Sequence, residues 1–303
     1  MRHRQIGSLS VSVIGLGTNN FGFTMAEEDV LPVVDAALES GINFFDTADS
    51  YLTSEERCGK ALGARRDDIV LATKFGSQVN ADIPGGAAGS YIRQAVERSL
   101  RQLGTDRIDL YQLHKPDESV PIAETLGVLN ELVAEGKVLE IGCSNFSAVQ
   151  LREAEVAAGA GAKFVSVQNN YSLLERTDET DALPVCAELG LAYLPYFPLA
   201  SGLLSGKYRR GAEVLEGTRV QKWAMADRVL TDANFDILER LEGWAAARGH
   251  SLLELAFAWL LATPEVASVI AGTTTPDQVN ANAAAGSWEL SIDEANEVRS
   301  LVA

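Results

Sequence analysis

Runs of apolar, β-branched residues alternate along this chain with stretches whose hydrophobic residues recur at helical spacing. Strict alternation of this kind predicts a parallel sheet whose strands are joined by right-handed helical crossovers. Eight such runs over 303 residues indicate closure into a (β/α)8 barrel, the α/β fold called a TIM barrel, with residues 1–303 forming a single domain. The strands are expected near Val13–Gly15, Asn43–Asp46, Ile69–Lys74, Ile108–His114, Val138–Ser144, Phe164–Asn169, Ala192–Tyr196 and Val266–Ala271.

Two segments depart from this rhythm. The first residues predict a short N-terminal hairpin of Arg2–Ile6 and Leu9–Val11. Phe197–Thr231 lacks the pattern of a strand or a long helix, so we expect a functional loop, at a place where barrels often bind phosphate. Helices are expected near 28–40, 54–62, 90–103, 121–135, 147–158, 181–189 and 251–262, with extra C-terminal helices at 276–285 and 291–301.

Four residues at the ends of three consecutive predicted strands form a candidate proton-transfer set: Asp46, Tyr51, Lys74 and His114. We call them the strand-end cluster, because the C-terminal ends of parallel barrel strands share one face. A free phenol has a pKa of about 10, too high for good proton transfer at neutral pH, and a nearby ammonium lowers it. Lys74 can supply this charge, Asp46 can hold it, and His114 can hydrogen-bond the reacting oxygen. Taken singly, each of these residues also has an ordinary structural interpretation.

The charge and the rare residue types exclude several classes of function. A formal charge of −17 disfavours nucleic acids and anionic membranes as partners. The N-terminus lacks the apolar core of a signal peptide. The three cysteines, Cys58, Cys143 and Cys186, are far apart, which favours a reduced, cytoplasmic chain. With only three histidines and no His-x-His pair, a metal-dependent barrel hydrolase is disfavoured and no metal is expected.

Motifs spread over almost the whole chain resemble those of the aldo-keto reductase superfamily. They include FDTADSY (45–51), ATKFG (72–76), LHKPD (113–117), IGCSNF (141–146) and, further along the chain, YFPLASGLLSGKY (196–208) and IAGTTTPDQVNAN (270–282). The pattern is most similar to the potassium-channel β-subunit and bacterial general-stress reductase branch. The resemblance implies a barrel that binds a nicotinamide dinucleotide, with Tyr51 as general acid/base, Lys74 and Asp46 as its tuners and His114 as orienter.

The resemblance also implies the residues that contact the cofactor. Ser144, Asn145 and Gln168 would bind the nicotinamide carboxamide, and Tyr196 would stack on the ring. The loop Leu199–Lys207 would wrap the pyrophosphate, and the start of a helix after Gly272 would hold the adenosine end. As single residues, most of them have a structural alternative as a cap, core, turn or surface residue. The full set implied is Gly17, Thr18, Asp46, Ser144, Asn145, Gln168, Tyr196, Pro198, Leu199, Gly202, Lys207, Arg219, Gly272, Thr274, Gln278 and Asn282.

The sequence departs from the family pattern at two places, and there the cofactor and substrate contacts implied by the resemblance are less certain to apply. The stretch Thr273–Asn282 contains no Lys or Arg, which many relatives use to clamp the 2′-phosphate of NADPH. Arg219 is then the best remaining phosphate partner, with a solvated loop charge as its alternative, so NADPH is favoured and NADH stays possible. The segment Leu52–Glu56 is also shorter than the usual glycine-bearing loop beside the substrate pocket.

These observations predict an NADPH-dependent carbonyl reductase that acts on a small-molecule aldehyde or ketone. The alternative is a regulatory protein that holds NADP(H) as a redox sensor and turns over slowly. The sequence leaves open the substrate and the oligomeric state. Candidate pocket residues, each of which could equally be core, are Asn20, Phe21, Phe23, Phe75, Phe146, Phe197 and Trp223.

Overall fold

The computed structural model describes residues 1–222 and 224–302, and the side chain of Arg219 also lies outside the described part. Its strands are β1 (His3–Ile6), β2 (Leu9–Ser12), β3 (Ile14–Gly17), β4 (Phe44–Asp46), β5 (Val70–Phe75), β6 (Ile108–Leu113), β7 (Val138–Ser144), β8 (Phe164–Asn170), β9 (Ala192–Tyr196) and β10 (Val269–Gly272). Its helices are α1 (Asn19–Phe23), α2 (Glu27–Glu39), α3 (Ser54–Leu62), α4 (Gly89–Leu103), α5 (Ile122–Ala134), α6 (Ala148–Ala158), α7 (Ala182–Leu189), α8 (Arg219–Lys222), α9 (Ala226–Val229), α10 (Asp232–Ala246), α11 (Leu252–Leu261), α12 (Pro276–Ala285) and α13 (Ile292–Leu301). Short 3-10 helices span Gly63–Asp68, Thr177–Glu179 and Ala200–Ser205.

Eight of the strands form one parallel sheet in the order β10-β3-β4-β5-β6-β7-β8-β9. The two edges of this sheet meet where Tyr193 of β9 pairs with Val266, a few residues before β10. The Tyr193 amide donates to the Glu265 carbonyl at 2.7 Å, and the Ala267 amide donates to the Tyr193 carbonyl at 3.0 Å. The sheet therefore closes, and the predicted (β/α)8 barrel is confirmed.

The N-terminal hairpin covers the end of the barrel where its strands begin. β1 and β2 pair antiparallel, and Ile6, Leu9 and Val11 pack with Phe44 and Leu110 of the barrel strands. Arg4 reaches the carbonyl groups of the α11–β10 connection. With this end of the barrel covered by the hairpin, the opposite end remains for the functional site.

The strand predictions hold with small shifts of their bounds, but the sequence reasoning missed one long helix. α10 lies in a stretch for which no element was expected, and it buries Phe235, Leu238, Leu241 and Ala245 against the core. Thr231 caps its first turn by accepting the Asn234 amide at 3.2 Å. The five-residue helix α1 was also missed. Among the described helices, we find none with the length and hydrophobicity needed to cross a membrane.

Candidate functional site

The predicted site residues lie along one edge of the sheet, where the barrel strands end. Asp46 is the last residue of β4 and Lys74 is the penultimate residue of β5. His114 directly follows β6, Ser144 ends β7 and Tyr196 ends β9. The parallel register of the barrel thus brings together residues that are far apart in the chain.

Lys74 is the buried centre of the strand-end cluster. Its side chain is 1% exposed, and its ammonium donates to Asp46 Oδ2 at 2.5 Å and to the Thr47 carbonyl at 2.9 Å. Burial acts to lower the pKa of Lys74, but attraction to Asp46 and Tyr51, with hydrogen bonds to both, outweighs it and raises the pKa above its usual value. Lys74 therefore carries a positive charge at neutral pH.

Asp46 receives two further hydrogen bonds that fix its carboxylate. Gln112 Nε2 donates to Asp46 Oδ1 at 3.1 Å, and Gln168 Nε2 donates to the same oxygen at 2.9 Å. Gln112 was not foreseen from the sequence, although a buried glutamine inside an apolar strand is a detectable signal. Gln168 was expected to face the cofactor, and the structure directs its side-chain amide to Asp46.

Tyr51 lies on the short segment between β4 and α3, within reach of Lys74. The Lys74 ammonium is 5.2 Å from the centre of the Tyr51 ring, and the two side chains share a hydrogen bond. α1 packs on this segment so closely that a Cβ placed on Gly22 would lie 1.8 Å from the Tyr51 carbonyl oxygen. The position of the phenol therefore depends on a close backbone contact with a helix from another part of the chain.

His114 faces the Tyr51 ring edge-on, with ring centres 5.7 Å apart and an angle of 82° between the planes. Its Nδ1 lies 3.4 Å from the Ser50 hydroxyl. Burial, with the nearby charges of Lys74 and Lys115, lowers the pKa of His114 to about 3. The imidazole is therefore neutral at physiological pH and can donate only one hydrogen bond from its ring.

A second polar group at the same edge contains the residues expected around the nicotinamide. Ser144 Oγ donates to the Gln168 carbonyl at 2.6 Å, and Asn145 Nδ2 donates to Ser144 Oγ at 3.1 Å. The Tyr196 hydroxyl donates to Asn145 Oδ1 at 2.8 Å. Asn145 is exposed and has a φ of 61°, a left-handed conformation that is uncommon outside glycine. These residues form a compact set that fits a planar ring bearing an amide.

The segment after β9 is a compact turn that lies beside a cation. Left-handed backbone conformations occur at Phe197, Ala200, Ser201, Gly202 and Gly206. The Ala200 amide donates to the Phe197 carbonyl and the Gly202 amide to the Leu199 carbonyl, each at 2.8 Å, so the segment folds into a compact turn. A Cβ on Gly202 would lie 3.0 Å from the Lys207 ammonium, so the cation covers this loop. Pro198 is buried and Leu199 half-buried at its start.

The start of α12 is the remaining part of the expected cofactor site. Gln278 Oε1 accepts from the Thr274 amide at 2.9 Å and from the Thr274 hydroxyl at 3.3 Å. Gly272 is exposed at the end of β10, whereas Asn282 is buried. Gln278 thus braces the loop that precedes the helix.

Gly17 and Thr18 lie at the end of β3, beside this start of α12. Gly17 pairs with Gly272 of β10 and with Asp46 of β4. The Thr18 hydroxyl is wholly buried and donates to the Asp46 carbonyl at 3.1 Å. Two further predicted residues, Trp223 of the pocket and Arg219 of the cofactor site, cannot be placed in this way. Residue 223 and the side chain of Arg219 lie outside the described part of the chain.

The candidate pocket residues divide between core and surface. Phe21, Phe75 and Phe146 are buried in the main apolar core, so their interpretation as core is the correct one. Asn20 donates to the Thr273 carbonyl at 3.2 Å. Phe23 and Phe197 are exposed. Leu52, which was not predicted from the sequence, is also exposed. Phe23 lies 6.1 Å from the Tyr51 ring, and Phe197 packs against Tyr196 at 5.2 Å.

Metal-binding potential is low in the part of the chain that the structure describes, where no group of three or more His, Cys, Asp or Glu side chains converges. The three cysteines are buried and free. Burial raises the pKa of the Cys58 thiol to about 12.

Comparison with known proteins gives concordant matches over nearly the full length. The aldo/keto reductase family model matches residues 13–303. Probable aldo-keto reductase 1 of Glycine max is 35% identical over 300 residues, which cover 97% of this chain and 85% of that protein. The uncharacterized oxidoreductase YrpG of Bacillus subtilis (strain 168) is 37% identical over 288 residues, 89% of this chain and 86% of YrpG. The solved structure of aldo-keto reductase AKR11C1 from Bacillus halodurans (holo form) superposes with a TM-score of 0.83 at 34% identity, covering 99% of this chain and 96% of that one.

Proposed function

This chain belongs to the aldo/keto reductase family, and we propose that it reduces an aldehyde or ketone to the alcohol, with NADPH as hydride donor and Tyr51 as proton donor. The observation that carries this proposal is the buried Lys74 ammonium held between the Asp46 carboxylate and the Tyr51 phenol. An arrangement of this kind has a clear chemical use, since it stabilises the phenolate that remains after proton transfer.

Proton transfer to the substrate oxygen begins at the Tyr51 hydroxyl. As the carbonyl oxygen gains negative charge, the phenol gives up its proton and the Lys74 ammonium stabilises the phenolate. Asp46 keeps Lys74 charged and aimed, because its carboxylate accepts from Lys74 on one oxygen and from Gln112 and Gln168 on the other. The neutral His114, edge-on to Tyr51, donates a hydrogen bond to the same substrate oxygen and so orients the carbonyl.

NADPH, when bound, supplies the hydride. Its nicotinamide amide would be held by Ser144 and Asn145, with the ring against Tyr196. The left-handed segment around Gly202 and the Lys207 ammonium would hold the pyrophosphate. Because Thr273–Asn282 contains no cation, we assign the 2′-phosphate to Arg219 on the strength of the sequence alone.

The mouth of the site favours a carbonyl compound with an apolar substituent. Phe23, Leu52 and Phe197 are 47%, 55% and 36% exposed. Phe23 lies near the Tyr51 ring, Leu52 follows Tyr51 in the chain, and Phe197 packs against Tyr196. Leu52 and Phe197 both have a φ of 52°, a conformation that costs a non-glycine residue free energy and often marks a functional position. An apolar group of the substrate would bury these side chains.

Replacement of Tyr51 by Phe tests the proposed reaction. The change removes one hydroxyl and keeps the ring, so we expect reduction of a panel of aliphatic and aromatic aldehydes to slow by about 10²-fold or more. NADPH binding, followed by quenching of tryptophan fluorescence, should be preserved because the phenol faces the substrate. Near-normal turnover by the variant would show that Tyr51 is not the acid. If the unmodified protein completes only one slow turnover of bound NADPH, the redox-sensor alternative would be the better description.

A further inference from the structure

The segment that carries Tyr51 is attached to the neighbouring strand by few main-chain hydrogen bonds. The Thr47 amide donates to the Ala72 carbonyl at 2.9 Å, and the Asp49 amide donates to the Lys74 carbonyl at 3.1 Å. After Asp49, the amides of Tyr51 and Ser54 bond only within the segment, to the Ala48 and Tyr51 carbonyls. Asp49 therefore makes the last main-chain hydrogen bond to β5 before Tyr51, and this bond is to the carbonyl of Lys74.

The side chain of Asp49 ties the same segment to a helix. Asp49 is 2% exposed, and its Oδ2 accepts from Arg98 Nη2 at 2.8 Å and from the Tyr91 hydroxyl at 3.3 Å. Both partners lie on α4, and the Arg98 guanidinium lies 5.9 Å from the centre of the Tyr91 ring. We call these three residues the Asp49 bridge. It connects the Tyr51 segment to α4 and, through its main chain, to Lys74.

The Asp49 bridge is not well suited to stabilising the fold. Burial raises the pKa of Asp49 to about 6 despite the opposing effect of Arg98, so ionisation of this carboxyl costs more in the fold than in the unfolded chain. Buried ion pairs are often no more stabilising than apolar side chains of similar volume, whereas they fix direction and distance. One Asp49 oxygen, Oδ1, has no hydrogen-bond partner among the described residues. An ion pair kept under these conditions is better explained by geometry than by stability.

A second buried carboxyl faces the bridge from α3. Glu55 accepts from the Thr73 hydroxyl at 2.6 Å, and Thr73 immediately precedes Lys74. The Ser99 hydroxyl of α4, Arg98 and Asp49 also lie close enough to Glu55 to influence its pKa. Tyr111 of β6 is a further buried titratable group that interacts with Asp49. Both elements of the Tyr51–Lys74 pair are thus tied to α3 and α4 by buried carboxyl groups.

We propose that Asp49, through its bridge to Arg98 and Tyr91, is a positioning residue that holds the Tyr51 phenol at hydrogen-bonding distance from Lys74. The inference rests on the proposed function, in which this pair transfers the proton. Asp49 touches neither substrate nor cofactor, and it acts through the segment that it anchors.

Asp49→Asn tests the bridge, because it keeps the shape of the side chain and removes its charge. Loosening of the segment should lower kcat for aldehyde reduction by about 10- to 100-fold, the scale of losses caused by small misplacements of a catalytic group. NADPH affinity should not change. In the direction of alcohol oxidation, where the phenolate is the base, the pH–rate profile should move alkaline because Tyr51 loses the full effect of the Lys74 ammonium. Arg98→Gln should cause the same changes, and the double variant should be no worse than either single one.

Asp109→Asn is the matched control. Asp109 is a buried aspartate on β6 that pairs with Arg66 at 2.9 Å and accepts the Leu71 amide at 2.7 Å, away from Tyr51. The Asp109→Asn variant should be less stable, but its kcat and pH–rate profile should be unchanged. Equal effects of the two Asn variants on kcat and on pH dependence would overturn the positioning role, as would an Asp49→Asn variant with normal kcat. Because Tyr51→Phe is measured in parallel, an inactive Tyr51→Phe beside a normal Asp49→Asn would reject the bridge and keep the proposed reaction.

Discussion

At the scale of single residues, the position of Tyr51 depends on the absence of a side chain at Gly22. Gly22 lies in α1 and presents its bare Cα to the Tyr51 carbonyl, where an added Cβ would also lie 3.2 Å from the Ser54 amide nitrogen. That amide donates to the Tyr51 carbonyl at 3.0 Å, so the same contact includes the start of α3. Any side chain at position 22 must therefore displace the backbone of the proposed acid.

Gly22→Ala should for this reason damage activity more than its small size suggests. Alanine favours helix over glycine by about 1 kcal/mol, but forcing an atom into a closed contact costs about 1–3 kcal/mol. We expect a lower melting temperature and a fall in kcat of about 10-fold or more, because Tyr51 moves with its carbonyl. Gly127→Ala is the control: Gly127 lies inside α5, and an added Cβ would meet no atom within 4 Å beyond its own stretch of helix. It should preserve kcat and leave stability equal or higher, and equal losses in both variants would contradict the argument.

The sequence predicts residues whose chemistry is visible in their type, and it misses those whose role is purely geometric. Asp46, Tyr51, Lys74 and His114 stand at strand ends, where reactive side chains are conspicuous, and the structure places them together. Gln112 and Asp49 bond to partners on other elements, Asp46 and Arg98, and only the register and packing reveal these contacts. Gly22 offers no side chain at all, so its contact could not be foreseen.

At the scale of elements, the segment between β9 and α10 shows how an irregular stretch can be highly specified. Its 3-10 turn contains Ser201 and Gly202 in left-handed conformations, followed by Gly206 with a φ of 77°. The sequence correctly marked this stretch as irregular, because it lacks periodicity. The helix α10, which follows this stretch, was not predicted. Its sequence does contain a signal, since an N-cap at Thr231 is followed by apolar residues at helical spacing, namely Phe235, Leu238, Leu241 and Ala245.

Two cations of this segment should affect cofactor binding in different ways. Lys207→Gln should weaken NADPH and NADH alike by about 10- to 100-fold, since a charged hydrogen bond is worth roughly 1.5–3 kcal/mol and both cofactors share the pyrophosphate. Arg219→Ala should weaken NADPH selectively, because only NADPH has a 2′-phosphate. Fluorescence titrations at two salt concentrations would measure both, with the salt dependence of binding reduced in each variant.

Lys163→Gln provides the control for loss of a positive charge, since Lys163 pairs with Glu155 just before β8, at the opposite end of the barrel. It should leave both affinities unchanged. If Arg219→Ala weakens the two cofactors equally, Arg219 is structural. A preference of the unmodified protein for NADH would mean that the absence of a cation in Thr273–Asn282 decides cofactor choice.

At the scale of the whole molecule, the barrel could be predicted because its pattern is repeated eight times and each repeat supports the others. The sequence predicted closure but not the pairing that achieves it, since Tyr193 pairs with residues 265–267, outside the regular strand β10. The buried carboxyl groups behind the strand-end cluster were also invisible, because a helix-start glutamate such as Glu55 usually lies in solvent. Their burial has consequences for the stability of the whole fold.

Glu55 should make the protein less stable as the pH rises. Burial raises the pKa of Glu55 to about 7, against an ordinary value of 4.5, although the hydrogen bond from Thr73 and the nearby Ser99 hydroxyl oppose this. The folded protein therefore keeps this proton up to about pH 7, while the unfolded chain releases it near 4.5, so folding takes up a proton between these values. The contribution of Glu55 is most favourable below pH 4.5 and is lost progressively as the pH rises to 7.

Glu55→Gln would remove this dependence, because the amide stays neutral at every pH. The variant can be less stable at low pH, since its new amino group replaces an oxygen, Oε2, that has no partner among the described residues. The difference in unfolding free energy, variant minus unmodified protein, should nevertheless rise by about 1–3 kcal/mol between pH 5 and pH 8. Urea unfolding at several pH values measures it, and Glu56→Gln, at an exposed neighbouring position, should show no such trend. A difference that stays flat with pH for Glu55→Gln would mean that Glu55 is ionised in the fold at pH 5, and that the hydrogen bond from Thr73 outweighs its burial.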